Sequence, residues 1–406
     1  MTNKPAILRL QRNVQFLYEE QLARLELQAL GCATGARDDN DAWQITASLN
    51  GQAPDILQRS AYIGEIDGKP TVYAEMTRPG YQGGRFNRTR SVNQYLTHWI
   101  YPYRGKFHPQ MVRALFNLLG AQPGQLAVDP FVGSGTAAVE ASLLGLRFIG
   151  IDLSPLCVML TRVKTRSVEA VDAIRERVAE LLASEALDVD AIDPAVEDNP
   201  RVADFLQIAR MVTYSDVARR SREAGASFRR NLEGMLVSVE AYAGAITEFK
   251  LQPGSVEVRQ GDARALGAAG IADDSVDVIV TSPPYSIALD YVKNDDHALE
   301  ALGVDTKGLR ASMTGVRGRG PRQKLALYNE DMQETFKEVA RVLKPGARAA
   351  FVVGDATVDG REVTTTGTMS AWAEAVGLRV ERNIPKIVYG LYSVMSDERM
   401  LVFRKP

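Results

Sequence analysis

The sequence is poor in the residues that build metal sites and disulfide frameworks. Its 406 residues include 2 cysteines and 3 histidines. Cys32 and Cys157 show no paired spacing, and His98, His108 and His297 are scattered. Neither a structural metal nor a disulfide scaffold is expected. Apolar runs such as "RAAFVVG" fall well short of the ~20 residues that span a bilayer, and no charged segment followed by an apolar one opens the chain. The expectation is a cytoplasmic protein without a membrane segment. The glycine-rich stretch "DPFVGSGT" is not followed by Gly-Lys-Ser/Thr, which excludes a Walker phosphate site.

Charge is missing locally rather than globally. The formal net charge is −2, yet no acidic residue lies between Glu75 and Asp129. That stretch carries Arg78, Arg85, Arg88, Arg90, Arg104, Lys106 and Arg113 interleaved with Tyr81, Phe86, Tyr95, Trp99, Tyr101, Tyr103 and Phe107. A second acid-free run, Lys307 to Lys324, holds six basic residues and four glycines. A single run reads equally well as a solvated loop; two, one of them aromatic, point to a polyanion offering phosphates and stackable bases. Arg85, Arg88, Arg90, Arg104, Lys106, Arg317, Arg319, Arg322 and Lys324 are the candidate nucleic-acid contacts. The glycines of the second run predict a loop that orders over its ligand.

The rest is ordinary globular sequence, 45% hydrophobic and 24% charged. Residues 1–75 read as a small α+β module and 76–106 as a basic aromatic connector. From 107 to 406 helix-like and strand-like segments alternate in the grammar of a doubly wound sheet. Within it, about 165–250 reads as a helical insertion and 307–324 as a basic loop.

Two segments carry chemistry. In "DPFVGSGT" a strand ending at Asp129 passes through Gly133 and Gly135 into a helix from about Thr136, the arrangement that brings backbone and helix amides onto a ligand. Asp152, at the end of the next strand, suits a ribose diol. The second is "VTSPPYS". Pro283 and Pro284 fix two φ angles where a buried parallel strand ends, the position at which open α/β sheets bind ligands.

"DPFVGSGT", "GIDLSP" and "TSPPY" together resemble the S-adenosylmethionine-dependent amino-methyltransferases of the DNA N4-cytosine and N6-adenine type. The resemblance runs from about Tyr101 to Gly354. It implies a Rossmann-like methyltransferase sheet in which Asp129, Pro130, Phe131, Gly133, Ser134, Gly135 and Thr136 hold the methionine part of the cofactor, with Phe107 in a segment, "YPYRGKFHPQMVRAL", that covers it. Asp152 would bind the ribose and Asp262 would lie near the adenine amino group. Ser282, Pro283, Pro284 and Tyr285 would be catalytic, Ser282 and the Pro283 carbonyl accepting the amino hydrogens of an extruded base and Tyr285 stacking on it. Serine in the first position of the tetrad is associated with cytosine N4. Adenine N6 is one alternative. Guanine N2 of tRNA is another, because "YEEQLARLELQALG" and "ILQRSAYIGEI" faintly resemble the N-terminal region of tRNA guanine-N2 methyltransferases.

Cys157 follows leucine rather than proline, and Cys32 lies outside this domain, so covalent attack on a cytosine ring is disfavoured. The motif order departs from DNA enzymes whose "SPPY" half comes first, and the resemblance carries no inference about a restriction endonuclease partner. An NAD-dependent dehydrogenase would explain the glycines and Asp152, but neither Pro130-Phe131 nor the tetrad.

Overall fold

The structure, a computed structural model, describes residues 5–38, 41–83, 91–184, 187–285, 290–358, 361–363, 365–388 and 396–406. Arg85, Arg88 and Arg90 lie outside the described residues.

The N-terminal part runs β1 (Ala6–Leu10), α1 (Leu17–Ala29), β2 (Ala33–Asp38), β3 (Asp41–Ser48), α2 (Ala53–Arg59), β4 (Ile63–Ile66), β5 (Lys69–Pro70), α3 (Val72–Met76) and α4 (Ser91–Gln94). Its sheet has the order β2-β3-β1-β4-β5, with every neighbouring pair antiparallel. The first six elements form the split βαββαβ arrangement. Alternation sets the faces: Ala6, Leu8 and Leu10 of β1 turn inward and pack with Leu22, Ala23 and Leu27 of α1. Glu19 starts α1 by accepting the amides of Gln15 (2.7 Å) and Phe16 (3.1 Å), which satisfies donors that a helix start leaves open.

A buried polar seam joins this part to the helices beyond residue 108. Glu26 of α1 accepts from Ser60 Oγ (2.8 Å), Ala61 N (2.8 Å) and Asn117 Nδ2 (2.6 Å). Arg113 donates to the Arg59 carbonyl (2.9 Å) and to Glu140 (3.1 Å). Glu26, Arg113 and Glu140 are all fully buried, so these partners are what makes their burial tolerable.

The second part contains α5 (Pro109–Leu118), β6 (Leu126–Asp129), α6 (Thr136–Leu143), β7 (Arg147–Asp152), α7 (Pro155–Arg166), α8 (Val171–Leu182), α9 (Pro200–Arg220), α10 (Ala224–Glu248), β8 (Val256–Gln260) and β9 (Val276–Thr281). It continues with α11 (Tyr291–Asn294), α12 (Asp296–Ala301), α13 (Thr306–Ser312), α14 (Gly320–Val342), β10 (Leu343–Gly354), β11 (Ala356–Val358), β12 (Arg361–Val363), α15 (Thr365–Ala375), β13 (Arg379–Val388) and β14 (Ser396–Arg404). The sheet order is β13-β14-β10-β9-β6-β7-β8. The pairs from β8 through β10 are parallel, and β14 is antiparallel to both its neighbours.

This is the expected Rossmann-like methyltransferase sheet. The chain steps from β6 to β8 in one direction and then returns to β9 on the other side of β6. That reversal is a topological switch point, where a crevice opens beyond the strand ends. Asp129 ends β6 and Ser282 succeeds β9, so both chemical motifs reach the crevice. Helices α7 to α10 fill the interval between β7 and β8, around Phe205, Leu206, Phe228, Leu232 and Val239; Val292 and Leu299 join the same core.

The segment expected as a basic loop, 307–324, is largely helical. Lys307 to Ser312 belong to α13, and α14 begins at Gly320. Asp305 caps α13 by accepting the amides of Lys307 and Gly308, both at 3.1 Å. Thus Gly308, whose presence favoured a loop, lies in the first turn of a helix.

Candidate active site

Hydrogen bonds from several elements hold the glycine loop. The Asp129 carboxylate accepts from Thr281 Oγ1 (2.6 Å) and Phe131 N (3.0 Å), tying β6 to β9. Burial pushes Asp129 up to about 7. Gly133 adopts φ +49° and donates its amide to Asp152 Oδ2 at 2.9 Å. Asp152 also accepts from Ser154 N (2.9 Å), and burial raises it to about 6. From below, the fully buried Lys164 of α7 donates to the Ser134 carbonyl at 2.6 Å; burial lowers its amine to about 7. Thr136 opens α6 with a buried hydroxyl that has no hydrogen-bond partner among the described residues.

The loop lines a pocket that opens to solvent. Phe107, Asp129, Pro130, Phe131, Gly133, Ser134, Thr136, Asp152, Asp262, Ser282 and Pro284 all contribute to its wall. Gly135 does not. It sits at φ +78° where an added Cβ would lie 2.6 Å from Thr161 Oγ1, so its function is to let α7 approach the loop. Asp262 reaches the pocket but is clamped by Arg264, whose Nε lies 2.8 and 3.0 Å from its two oxygens. Arg264 holds its carboxyl below the usual range despite desolvation.

Sequence reasoning missed the opposite wall, made by Tyr291, Asp295, Leu309 and Met313. Tyr291 stacks on Tyr103 with ring centroids 6.4 Å apart. Asp295 accepts from Tyr101 Oη at 3.0 Å. The available signal for this wall was the segment "ALDYVKNDDHALEALG" just after the tetrad. Lys164 gave none, because a lysine in the last turn of a helix ordinarily serves the helix end.

The tetrad divides. Ser282 Oγ donates to the Val352 carbonyl at 3.1 Å. A hydroxyl whose proton is so committed presents lone pairs to anything else it meets. Pro283 is buried and, like Tyr285, does not line the pocket. Among the described residues its carbonyl accepts no hydrogen bond. The Tyr285 ring lies against Gly354, where an added Cβ would come within 3.0 Å of Cε2. Burial and the neighbouring Glu398 carboxylate raise its phenol well above the ordinary value. In this arrangement Tyr285 packs on the end of β10 rather than offering a face to the pocket.

The acid-free runs are also corrected in part. Arg317 pairs with Asp331, its Nε at 2.9 Å from Oδ2, and Arg264 reaches the same carboxylate at 2.6 Å. Asp331 is 1% exposed, so Arg317 neutralises a buried charge. Lys106 donates to the Asn93 carbonyl (2.7 Å) and lies over the Trp99 ring; burial pushes its amine well down. Arg104, Arg319 and Arg322 are exposed, and Lys324 is half-buried.

The strand order, with the glycine loop at its switch point, is that of a Rossmann-like α/β domain. Parts of the chain are similar to known methyltransferases. The family described as UPF0020: RMKL-like, methyltransferase domain, matches residues 100–197. A 76-residue stretch is 40% identical to the Type II methyltransferase M.MjaII of Methanocaldococcus jannaschii, covering 18% of this chain and 13% of that one. A 94-residue stretch is 33% identical to the tRNA (guanine(10)-N2)-dimethyltransferase of Methanothermobacter thermautotrophicus, covering 23% and 28%. The chain therefore spans well under half the length of either relative. Among solved structures, the rRNA methyltransferase aviRa of Streptomyces viridochromogenes aligns over 80% of this chain and 96% of its own, with 14% identity and a TM-score of 0.38. Among the described residues no helix is long and apolar enough to cross a membrane, and no group of His, Cys, Asp and Glu could hold a metal.

Proposed function

We propose that the protein transfers a methyl group from S-adenosylmethionine to an exocyclic amino nitrogen of a nucleic-acid base, with cytosine N4 in DNA as the target. The observation that carries this reading is the Ser282 hydroxyl, which lines the glycine-loop pocket with its proton given to the Val352 carbonyl. An exocyclic amino group has its lone pair delocalised into the ring. Acceptors on both its hydrogens favour pyramidal nitrogen, and a rigid loop aligns that nitrogen for attack, so fixed dipoles and positioning supply most of the rate. Ser282 is one such acceptor, on a backbone that Pro283 and Pro284 hold still.

The pocket suits the cofactor. The Thr136 hydroxyl is buried at the start of α6 without a partner among the described residues, a donor that the methionine carboxylate would satisfy at a helix N-terminus. Asp152 lines the pocket and would accept the ribose hydroxyls, while Asp262 lines it with both oxygens already accepting from Arg264 and would share them with the adenine amino group. The cofactor supplies an electrophilic sulfonium methyl; the chain supplies orientation and exclusion of water.

The second reading, guanine N2 of tRNA, is favoured by the tRNA enzyme among the relatives. Incubating the purified protein with methyl-labelled cofactor and separate DNA and tRNA pools, then digesting to nucleosides, decides between them. N4-methyl-2′-deoxycytidine in the DNA pool supports the first reading. N2-methylguanosine in tRNA with no label in DNA overturns it.

A further inference from the structure

Between Asp216 and Arg230 the chain carries five arginines against two acidic residues. This stretch is the turn of a helical hairpin. Ser221, at φ +50°, closes α9, and Glu223 starts α10 by accepting the amides of Gly225 (2.7 Å) and Ala226. Glu223 is engaged by that cap and forms no ion pair among the described residues, so Asp216 is the carboxylate of the stretch left to meet the arginines.

Three guanidiniums converge on it. Arg220 Nη1 (2.8 Å), Arg230 Nη2 (2.9 Å) and Arg222 Nη1 (3.4 Å) reach the Asp216 carboxylate, whose side chain is 4% exposed, while those of the arginines are 43% to 52% exposed. One arginine suffices to neutralise a buried carboxylate. The second and third add positive charge that no other carboxylate among the described residues pairs with, and like charges held this close repel. Each guanidinium has five N–H donors in a rigid fork, of which Asp216 engages few. Asp216 thus fixes the three forks in place and leaves most of their donors towards solvent. Arg229 differs, since it donates to the Leu182 and Ser184 carbonyls, both at 2.7 Å.

The cluster is tied to the wall of the glycine-loop pocket. Arg219, the preceding residue of α9, reaches Asp295 Oδ1 at 3.5 Å, and the same oxygen accepts from Tyr101 Oη at 3.0 Å. Asp295 lines the pocket, and Val292 and Leu299 on either side of it pack into the core of α9 and α10. We propose that the turn between α9 and α10 holds the phosphate backbone of the nucleic-acid substrate, with Arg220, Arg222 and Arg230 as its contacts. Phosphodiesters fit this surface, because their oxygens are charged acceptors that a guanidinium fork binds bidentately, and a row of them meets several arginines at once. Such contacts position a strand without reading its sequence. The inference rests on the proposed nucleic-acid substrate and adds to it the surface that grips the polymer.

The test uses the full chain with fluorescent duplex DNA and, separately, tRNA, across a range of salt concentrations; the two arms show which polymer supplies the phosphates. Arg220→Gln with Arg222→Gln leaves Arg230 to neutralise Asp216. On duplex DNA the double variant should bind more weakly, with a slope of log affinity against log salt shallower by about 1.8, two contacts at about 0.9 each. Its calorimetric affinity for S-adenosylmethionine should not change. Arg348→Gln, which removes an arginine paired with Glu381 at 2.7 Å, should leave the slope as it is and so separates local contact from net charge. On the wild type, bound nucleic acid should suppress phenylglyoxal modification of Arg220, Arg222 and Arg230, read by mass spectrometry, which does not depend on a variant folding. A slope unchanged in the double variant, an equal change in Arg348→Gln, or protection confined to other arginines overturns the proposal, while methylation by the wild type leaves the proposed function standing. Binding to anionic lipid vesicles in place of nucleic acid overturns it as well. A wild type that neither binds nor methylates DNA or tRNA overturns the proposed function, and this inference with it.

Discussion

The Ser282 hydroxyl donates to the Val352 carbonyl at 3.1 Å, so the residue just after β9 takes its side-chain orientation from β10. Ser282→Ala removes a pocket acceptor without touching the glycine loop. Turnover should fall about tenfold or more, the value of a lost transition-state hydrogen bond, while cofactor affinity stays nearly constant. Single-turnover rates at saturating cofactor, set beside calorimetry, check this; a parallel loss of cofactor affinity would move Ser282 into the cofactor site.

Asp152 has two tasks in the structure, since it holds the amides of Gly133 and Ser154 and faces the pocket. Asp152→Ala should weaken S-adenosylmethionine binding by about 1.5–3 kcal/mol, the range for hydrogen bonds to a charged group. NAD should not bind either form. The variant should also melt lower without cofactor, because two loop amides lose their acceptor. Calorimetry and a cofactor-free thermal melt measure the two effects separately.

The parts of the fold that were legible in the sequence are those set by neighbouring residues. Alternation and turn chemistry marked β6, β7, β9 and β10, and the glycines marked the passage from β6 to α6. What was not legible depends on partners far away in the chain. Arg317 is committed to Asp331, Arg113 to Glu140, and Lys164 to the Ser134 carbonyl. A basic residue looks the same in sequence whether it neutralises a buried carboxylate or meets a phosphate. Tyr285 illustrates the same limit: the tetrad was visible, but its ring direction depends on Gly354 and Glu398, which the sheet brings alongside.

Arg317 and Arg319, two residues apart, should therefore behave differently. Arg317→Ala leaves the buried Asp331 with Arg264 as its remaining ion-pair partner, and should destabilise the fold by about 3 kcal/mol, near the lower end for breaking a buried pair. Arg319 bonds to Gln323 through its backbone amide, so Arg319→Ala should leave stability unchanged. If Arg319 meets phosphate, its loss should lower the slope of log affinity against log salt by about 0.9 on duplex DNA. Denaturant melts separate the two variants, and a salt titration of DNA binding settles what Arg319 does; an unchanged slope makes it a solvated side chain.

Burial of Asp129, Asp152 and Lys164 ties the stability of the cofactor-free protein to pH. Asp129 and Asp152 titrate at about 7 and about 6 when folded, above the ordinary carboxylate range, because burial disfavours their charge. Between about pH 4 and 7 these two carboxyls hold protons that they lose in the unfolded chain, so their contribution to stability falls as pH rises, while His98 and His108, lowered by burial to about 4 and about 3, contribute with the opposite sign up to about pH 6.5. Lys164 has the opposite sign. Burial lowers its amine to about 7, with the Cys157 thiol as a smaller opposing influence, so between about pH 7 and 10 the unfolded chain binds the extra proton and stability rises with pH. Asp129→Asn should remove part of the falling contribution and Lys164→Met part of the rising alkaline one, Lys106, also lowered by burial, supplying the rest. Urea melts of the wild type and each variant across this range read these contributions, and an alkaline slope left unchanged by Lys164→Met would show that Lys164 does not titrate there.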